Sequence, residues 1–240
     1  MNRFYCPDIA QTLKLTEDES NHCVRVLRLG EGDMIQVVDG KGKCFDCQIT
    51  FASNKGCSVD IVNVREERPS WGHRIAIAVA PTKHTDRTEW LLEKCTEIGV
   101  DRIIPLSCHN GERKQFRSER LRKIMVSAMK QSLKATLPQL DELTPIAGFL
   151  NEPNNGQRFI AYCDPTLPCD ERVDLAKAYT PGSDVTILIG PEGDFSQEEI
   201  NQAKAVGYIP VTFGASRLRT ETAAMVACSI IHAIDASASK

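Results

Sequence analysis

The sequence predicts an α/β protein in two parts, a small β-rich N-terminal region and a larger region built on a mostly parallel sheet. Three observations carry this reading. Residues 1–70 hold three short β-prone runs separated by turn formers, 34–38, 44–51 and 57–64. From Arg74 onward, short apolar runs alternate with stretches of helical periodicity, the pattern of a parallel sheet with crossover helices. The last two strand-like runs each end in a glycine-bearing loop, the place where open parallel sheets bind ligands.

In order along the chain, a helix over 18–27 puts His22, Arg25 and Arg28 near one face. The connections Asp39-Gly40-Lys41-Gly42 and Ser53-Asn54-Lys55-Gly56 are rich in the residues hairpins need. Several short strands with one helix suggest a small barrel, and 65–72, polar with Pro69 and Gly72, reads as a linker. The expected division is 1–70 and 73–240. Beyond it, 75–80 reads as a buried strand. Thr85 or Asp86 caps a helix carrying Leu91, Cys95 and Ile98 inward and ending at Gly99. A strand at 103–106 precedes a basic helix over 118–133 with Leu121, Ile124, Met125, Ala128 and Met129 inward. Strands follow at 159–163, 185–189 and 209–213. Ser196 and Glu199 form a capping box for a helix that stops at Gly207. The terminal helix, 221–236, is apolar on several sides and so is buried or lies at a subunit contact, with Thr220 as its N-cap.

Composition narrows the function classes. At 240 residues, one or two domains is the expectation. No apolar run reaches the roughly 20 residues a membrane span needs, and residues 1–10 lack the apolar core of a signal peptide. A cytoplasmic protein without a membrane partner is expected. Ten cysteines in a chain of this size read as free thiols. Cys44 and Cys47 are the one pair with metal or redox spacing, but they fall within a strand and no second pair follows, so no metal is expected. Net charge is −3, against a generic nucleic-acid binder. The charge is uneven, however: between Glu112 and Lys134 eight basic residues, including Arg113, Arg117 and Arg120, face two acidic ones. That stripe is either a phosphate-contacting surface or a solvated helix face.

The two loops are Ile189–Ser196, I-G-P-E-G-D-F-S, and Phe213–Ala223, F-G-A-S-R-L-R-T-E-T-A. Neither is a P-loop, and no G-x-G-x-x-G opens a helix, so the site is not built for a nucleoside triphosphate or a dinucleotide. Together they resemble the paired signatures of the RsmE family of ribosomal RNA N3-uridine methyltransferases, in the SPOUT superfamily. The likeness extends to His22–Asp33 (H-C-V-R-V-L-R-L-G-E-G-D) and Glu93–Val100 (E-K-C-T-E-I-G-V), four segments in the same order across nearly the whole chain. This sequence departs from the family pattern at Asp194, where glycine is usual, at Phe213 for leucine, and at Ser216-Arg217 for Arg-Ile.

The resemblance implies a C-terminal SPOUT α/β trefoil-knot methyltransferase domain behind a small PUA-like β-barrel. It implies S-adenosylmethionine as cofactor, a homodimer, and N3 of one uridine in 16S rRNA of the small ribosomal subunit as acceptor. Rival readings are a SPOUT enzyme acting on a ribose 2′-hydroxyl and a non-catalytic RNA-binding factor.

On this likeness the cofactor contacts fall on Leu188, Ile189, Gly190, Pro191, Glu192, Gly193, Phe213, Gly214, Leu218 and Thr220. Backbone edges of tight loops suit a neutral adenine, and glycines let it approach. Glu192 either contacts substrate or orders its loop. The acceptor N3 is protonated at neutral pH, so its attack needs proton removal or stabilisation of the developing anion. Arg219 is the candidate for the second task. Glu221 either accepts a proton or complements the helix dipole. His22, Arg25, Arg28, Arg113, Arg117 and Arg120 are the candidate RNA contacts. Glu89, Glu93 and Glu97 repeat a like charge every fourth residue, a face that calls for a cation from Arg113 or Arg117. Asp at 194 tolerates positive φ better than most residues, and its carboxylate is expected to face the cofactor or solvent.

Overall fold

The computed structural model describes residues 2–112, 116, 118–163 and 172–238. Arg113 and Arg117 lie outside the described residues. The chain forms two compact units, Met1–Ser70 with Val126–Leu137, and Trp71–Met125 with Pro138–Lys240.

The first unit contains β1 (Arg3–Tyr5), α1 (Ile9–Thr12), α2 (Glu17–Asn21), a π-helical turn (His22–Val26), β2 (Met34–Val38), β3 (Lys43–Phe51) and β4 (Ser58–Glu66). Its sheet has the order β1-β2-β3-β4, with β1 parallel to β2 and the rest antiparallel. After β1 the chain reaches the opposite edge, where Leu15 N donates to Cys57 O at 2.9 Å and Val59 N to Leu13 O at 2.9 Å. A sheet whose first strand leads so quickly to its last edge must curl, and it does so around Phe4, Ile9, Ile35, Val37, Phe45, Cys47, Ile49 and Val59.

Alternation along β3 decides the Cys44–Cys47 pair. Three residues apart on a strand means opposite faces. Cys47 enters the main core, whereas Cys44 packs with Val38, Met129 and Ala135. Burial pushes the Cys44 thiol up to about 11 and that of Cys47 up to about 12. Neither is a thiolate at neutral pH, so neither is a ready ligand or nucleophile. The nine cysteines among the described residues are all unbridged.

Two sequence expectations change here. Thr16 caps α2, but the helix then widens, Leu27 N donating to His22 O at 3.0 Å, and Arg28 follows at φ 56°. His22 and Arg25 are exposed on the wide turn, and Arg28, also exposed, lies beyond it rather than on the same helix face. The linker does not begin at Arg65, because β4 runs to Glu66. Arg65 is held by Asp46 at 2.5 Å and Glu67 at 3.0 Å, and its guanidinium holds the Asp46 carboxyl below its ordinary value.

The second unit begins with β5 (Ile75–Val79), α3 (Thr85–Ile98), β6 (Arg102–Ser107) and α4 (Ser118–Gln131), the helix within which the division into units falls. Then come β7 (Gln139–Leu140), β8 (Thr144–Pro145), α5 (Ile146–Leu150), β9 (Gln157–Ala161), β10 (Val173–Asp174) and α6 (Leu175–Ala178). The unit closes with β11 (Val185–Ile189), α7 (Gln197–Ala205), β12 (Ile209–Thr212) and α8 (Thr220–Ala238). The sheet is parallel, in the order β10-β12-β9-β11-β5-β6-β7, with β8 beside β6. All five residues of β11 are buried, as expected of a central strand covered on both faces. Small residues Ala224, Ala227 and Cys228 let α8 come close to α3, where the Cys228 and Cys95 sulfurs lie 3.8 Å apart. On α3 the like charges are relieved from within the unit. Lys94 sits 2.7 Å from both Glu93 and Glu97, and Arg120 pairs with Glu89 at 2.9 Å.

Candidate active site

The C-terminal ends of β9, β11 and β12 and the start of α8 enclose a cleft of about 260 Å³. Parallel strands all deliver their following loops to this edge, so two segments that begin 24 residues apart in sequence, at Ile189 and Phe213, become facing walls.

The first wall is the loop after β11, and almost every polar group in it is tied down. Asp194 adopts φ 61° and closes a turn by donating its N–H to Pro191 O at 2.9 Å. Its carboxylate accepts from Cys163 N at 2.7 Å and from Phe195 N at 2.8 Å. The carboxylate that replaces the family's glycine therefore faces neither solvent alone nor an incoming ligand alone; it fastens this loop to the end of β9. Asn110 Nδ2 donates to the carbonyls of Gly193 and Asp194, each at 3.1 Å. Glu192 accepts from Lys83 N at 3.0 Å, which gives it a loop-ordering role. Ser196 and Glu199 make the capping box, and the buried Glu199 also accepts from His109 N at 2.7 Å.

The second wall, after β12, is looser. Thr212 Oγ1 donates to Gly214 O at 2.9 Å, and Gly214 takes φ 110°, a conformation side chains rarely adopt. Ser216, Arg217 and Arg219 are exposed. Thr220 is the first residue of α8 rather than its cap. Its buried hydroxyl instead donates to Gly190 O at 3.0 Å, bolting one wall to the other.

Seven of the ten residues singled out for the cofactor line the cleft: Ile189, Gly190, Pro191, Glu192, Phe213, Leu218 and Thr220. Leu188 is wholly buried in the core behind it, and Gly193 and Gly214 shape the loops without lining it. Arg219 lines the cleft and also an outer hollow with Asp86, Arg87, Trp90, Glu221 and Thr222. Glu221 is 7% exposed; Arg87 Nε is 3.8 Å from its Oε1, and Oε2 has no hydrogen-bond partner. The sequence reading missed Ala161, Tyr162 and Cys163, which bring the end of β9 into the cleft, and also Thr212, Ser216, Arg217 and Ala223. The strand at β9 was legible; that it lies between β11 and β12 was not. Among the described residues, no group of three or more His, Cys, Asp or Glu is placed to hold a metal ion, and no helix is long and apolar enough to cross a membrane.

Comparison with known proteins agrees with this geometry. Residues 69–232 match the RNA methyltransferase domain family, and residues 15–62 the RNA methyltransferase PUA domain. The chain belongs to this RNA methyltransferase family. The solved structure of a probable rRNA-methyltransferase from Porphyromonas gingivalis is 44% identical, with a TM-score of 0.94 over 99% of this chain and 100% of that one. Ribosomal RNA small subunit methyltransferase E from Neisseria gonorrhoeae, solved bound to S-adenosyl methionine, is 25% identical with a TM-score of 0.82, covering 98% of each chain. The protein of that name from Rickettsia conorii is 27% identical over 92% of this chain and 89% of its own length. The fold is the SPOUT type, a parallel-sheet α/β methyltransferase unit with a PUA-like N-terminal unit.

Proposed function

We propose that this family member transfers a methyl group from S-adenosylmethionine to N3 of one uridine in 16S rRNA of the small ribosomal subunit, acting as a homodimer in the cytoplasm. The observation that carries the reading is that both signature loops meet in one cleft, joined by the Thr220–Gly190 bond. Solved and curated relatives named as small-subunit rRNA methyltransferases match it over nearly their whole length.

The lining fits an adenosine. Ile189, Pro191, Val211, Phe213, Leu218 and Ala223 give it an apolar interior, and loop backbone supplies neutral donors and acceptors. Ile189, Gly190, Pro191, Glu192, Phe213, Leu218 and Thr220 would hold the cofactor, with Leu188, Gly193 and Gly214 setting the shape of their loops. When bound, S-adenosylmethionine supplies a methyl group on a sulfonium leaving group. The chain's own work is alignment and charge stabilisation. Arg219, exposed at the mouth, donates to the uracil oxygens as N3 loses its proton, and Glu221 accepts that proton. His22, Arg25, Arg28 and the stripe of Arg113, Arg117 and Arg120 supply phosphate contacts. An assembled subunit is the expected substrate, since folded RNA is recognised mainly by shape.

The test is transfer from labelled S-adenosylmethionine to small ribosomal subunits lacking this methyl group, followed by nucleoside digestion and mass spectrometry. 3-Methyluridine is expected. A 2′-O-methyl nucleoside, or cofactor binding with no methylated product, would overturn the N3 assignment; no cofactor binding at all would favour the non-catalytic reading.

A further inference from the structure

The hollow beside the cleft has a composition that needs an explanation. Trp90, on α3, is 38% exposed, unusual for the largest apolar side chain. Arg87, one turn earlier, and Arg219, from the loop before α8, flank it with two guanidiniums, and Asp86 and Thr222 complete the rim. At its base lies Glu221, more than nine-tenths buried, with Oε2 unpartnered. A buried carboxylate oxygen without a donor is costly, and the residue that carries it contributes to the lining of the hollow. Arg87 does not satisfy it, because at 3.8 Å its Nε makes only a weak ion pair with the other oxygen.

We infer that this hollow is the subsite for the acceptor base, with Trp90 as its stacking face, Glu221 as the group that meets the imide N3–H, and Arg87 as the residue that positions Glu221. The inference rests on the N3-uridine reading above and deepens it. An aromatic plane beside guanidiniums is how proteins hold an unstacked base. Arg219 lines both the hollow and the cleft, so a base held here has that guanidinium at the boundary with the methyl donor's site. The proton on N3 passes to the Glu221 carboxylate, the N–H bonding pair stays on N3, and the charge spreads to the two ring oxygens, where Arg219 donates.

The test uses the full chain on small ribosomal subunits lacking the methyl group, with a second set carrying 5-fluorouridine, whose imide is more acidic. Wild-type production of 3-methyluridine is the control for the underlying reading, so its failure is visible before any variant is compared. Trp90→Ala should raise KM for the subunit at least tenfold with cofactor affinity unchanged, and Trp90→Phe should restore most of it. Glu221→Gln should lose at least a hundredfold in kcat at neutral pH and regain it as pH rises or on the fluorinated substrate; Arg219→Ala should not be rescued by fluorination. Arg87→Met should lower kcat with KM for the subunit unchanged, and Arg87→Lys should restore part of it. Unchanged KM in Trp90→Ala together with a changed oligomeric state would make the hollow a contact between copies and overturn the proposal. Loss of activity in Glu221→Gln that neither pH nor fluorination relieves would equally overturn it. If Trp90→Ala does not fold, Trp90→Phe and Glu221→Gln still decide.

Discussion

The two walls of the cleft are built on opposite principles. In the loop after β11 and the first turn of α7, Asp194, Gly193, Glu192 and Glu199 all have partners within the protein, with distances of 2.7–3.1 Å. In the loop after β12, Ser216, Arg217 and Arg219 are exposed, and among the described residues the hydrogen bond across to the first wall is that of Thr220. The first wall is preorganised, so a ligand meeting it bears little ordering cost. The second keeps its guanidiniums available for charge that appears only during reaction. The contrast teaches a division of labour: the acidic loop spends its carboxylates on its own shape, and the basic loop holds its charges in reserve.

The sharpest way to break this comparison is Arg219→Ala. If Arg219 is held for developing charge, kcat should fall by about 10²–10³, the usual cost of removing one anion-stabilising donor. The affinity for S-adenosylmethionine should change little, because the rigid wall is untouched. An isothermal titration beside a single-turnover rate separates the two; equal losses in both would mean that Arg219 belongs to the cofactor site.

Next in size is Asp194, which tests whether the first wall's shape depends on its carboxylate. Asp194→Ala keeps a β-carbon at φ 61° while removing the carboxylate that accepts from Cys163 and Phe195, so a loss of about 2–3 kcal/mol in unfolding free energy is expected. Asp194→Gly relieves the backbone but not the missing bonds and should cost about 1–2 kcal/mol. Asp194→Asn should be the mildest of the three. Chemical denaturation of the series checks the order. A glycine variant as stable as wild type would mean that the carboxylate adds nothing beyond tolerating the turn.

Asp194 also marks how far the sequence could be read. That Asp tolerates positive φ is local chemistry, and it was legible. Its partner Cys163 is 31 residues away, just past the end of a neighbouring strand, and no local pattern names it. The same boundary separates the other successes and misses. β11 was legible to the residue and α7 to within a residue or two, because one is a continuous apolar run and the other carries a reciprocal cap. β1, β7, β8 and β10 are two or three residues long and carry no periodicity, so their strand character comes from their neighbours. Thr220 looked like an N-cap because Thr before a helix usually is one; the helix instead begins at Thr220 itself, and its hydroxyl donates to a carbonyl of the other loop. Of the residues that line the cleft, the sequence reading singled out seven within the signature loops for the cofactor, passed over Ser216, Arg217 and Ala223 beside them, and missed 161–163, which only sheet order brings in.

A smaller effect is expected from Thr220→Val, which removes the bolt while keeping the shape. Thr220 is buried, so Gly190 O loses its donor in a place water reaches poorly, at a cost of about 1–2 kcal/mol. If the bolt sets the distance between the walls, the cofactor should bind roughly tenfold more weakly, the equivalent of about 1.4 kcal/mol. Weaker folding with unchanged cofactor affinity would show that the walls hold their spacing without it.

The smallest effect concerns Arg120 and asks whether exposed charge outside the second wall is equally in reserve. It is not free: its guanidinium lies 2.9 Å from Glu89 Oε1 and donates a hydrogen bond to Oε2 at 3.1 Å. The Arg120 side chain is 70% exposed while that of Glu89 is only 18% exposed, so the carboxylate is the desolvated partner and depends on the arginine more than the reverse. A phosphate would have to compete with that carboxylate. Arg120→Ala should therefore reduce the salt slope of RNA binding by less than the ~0.7–0.9 that one full phosphate contact contributes. Glu89→Gln, which releases Arg120, should increase it. Filter binding to small ribosomal subunits across a salt series measures both slopes. A full-unit drop in Arg120→Ala would mean that the RNA displaces Glu89, and that this helix, like the second wall, keeps a charge for its substrate.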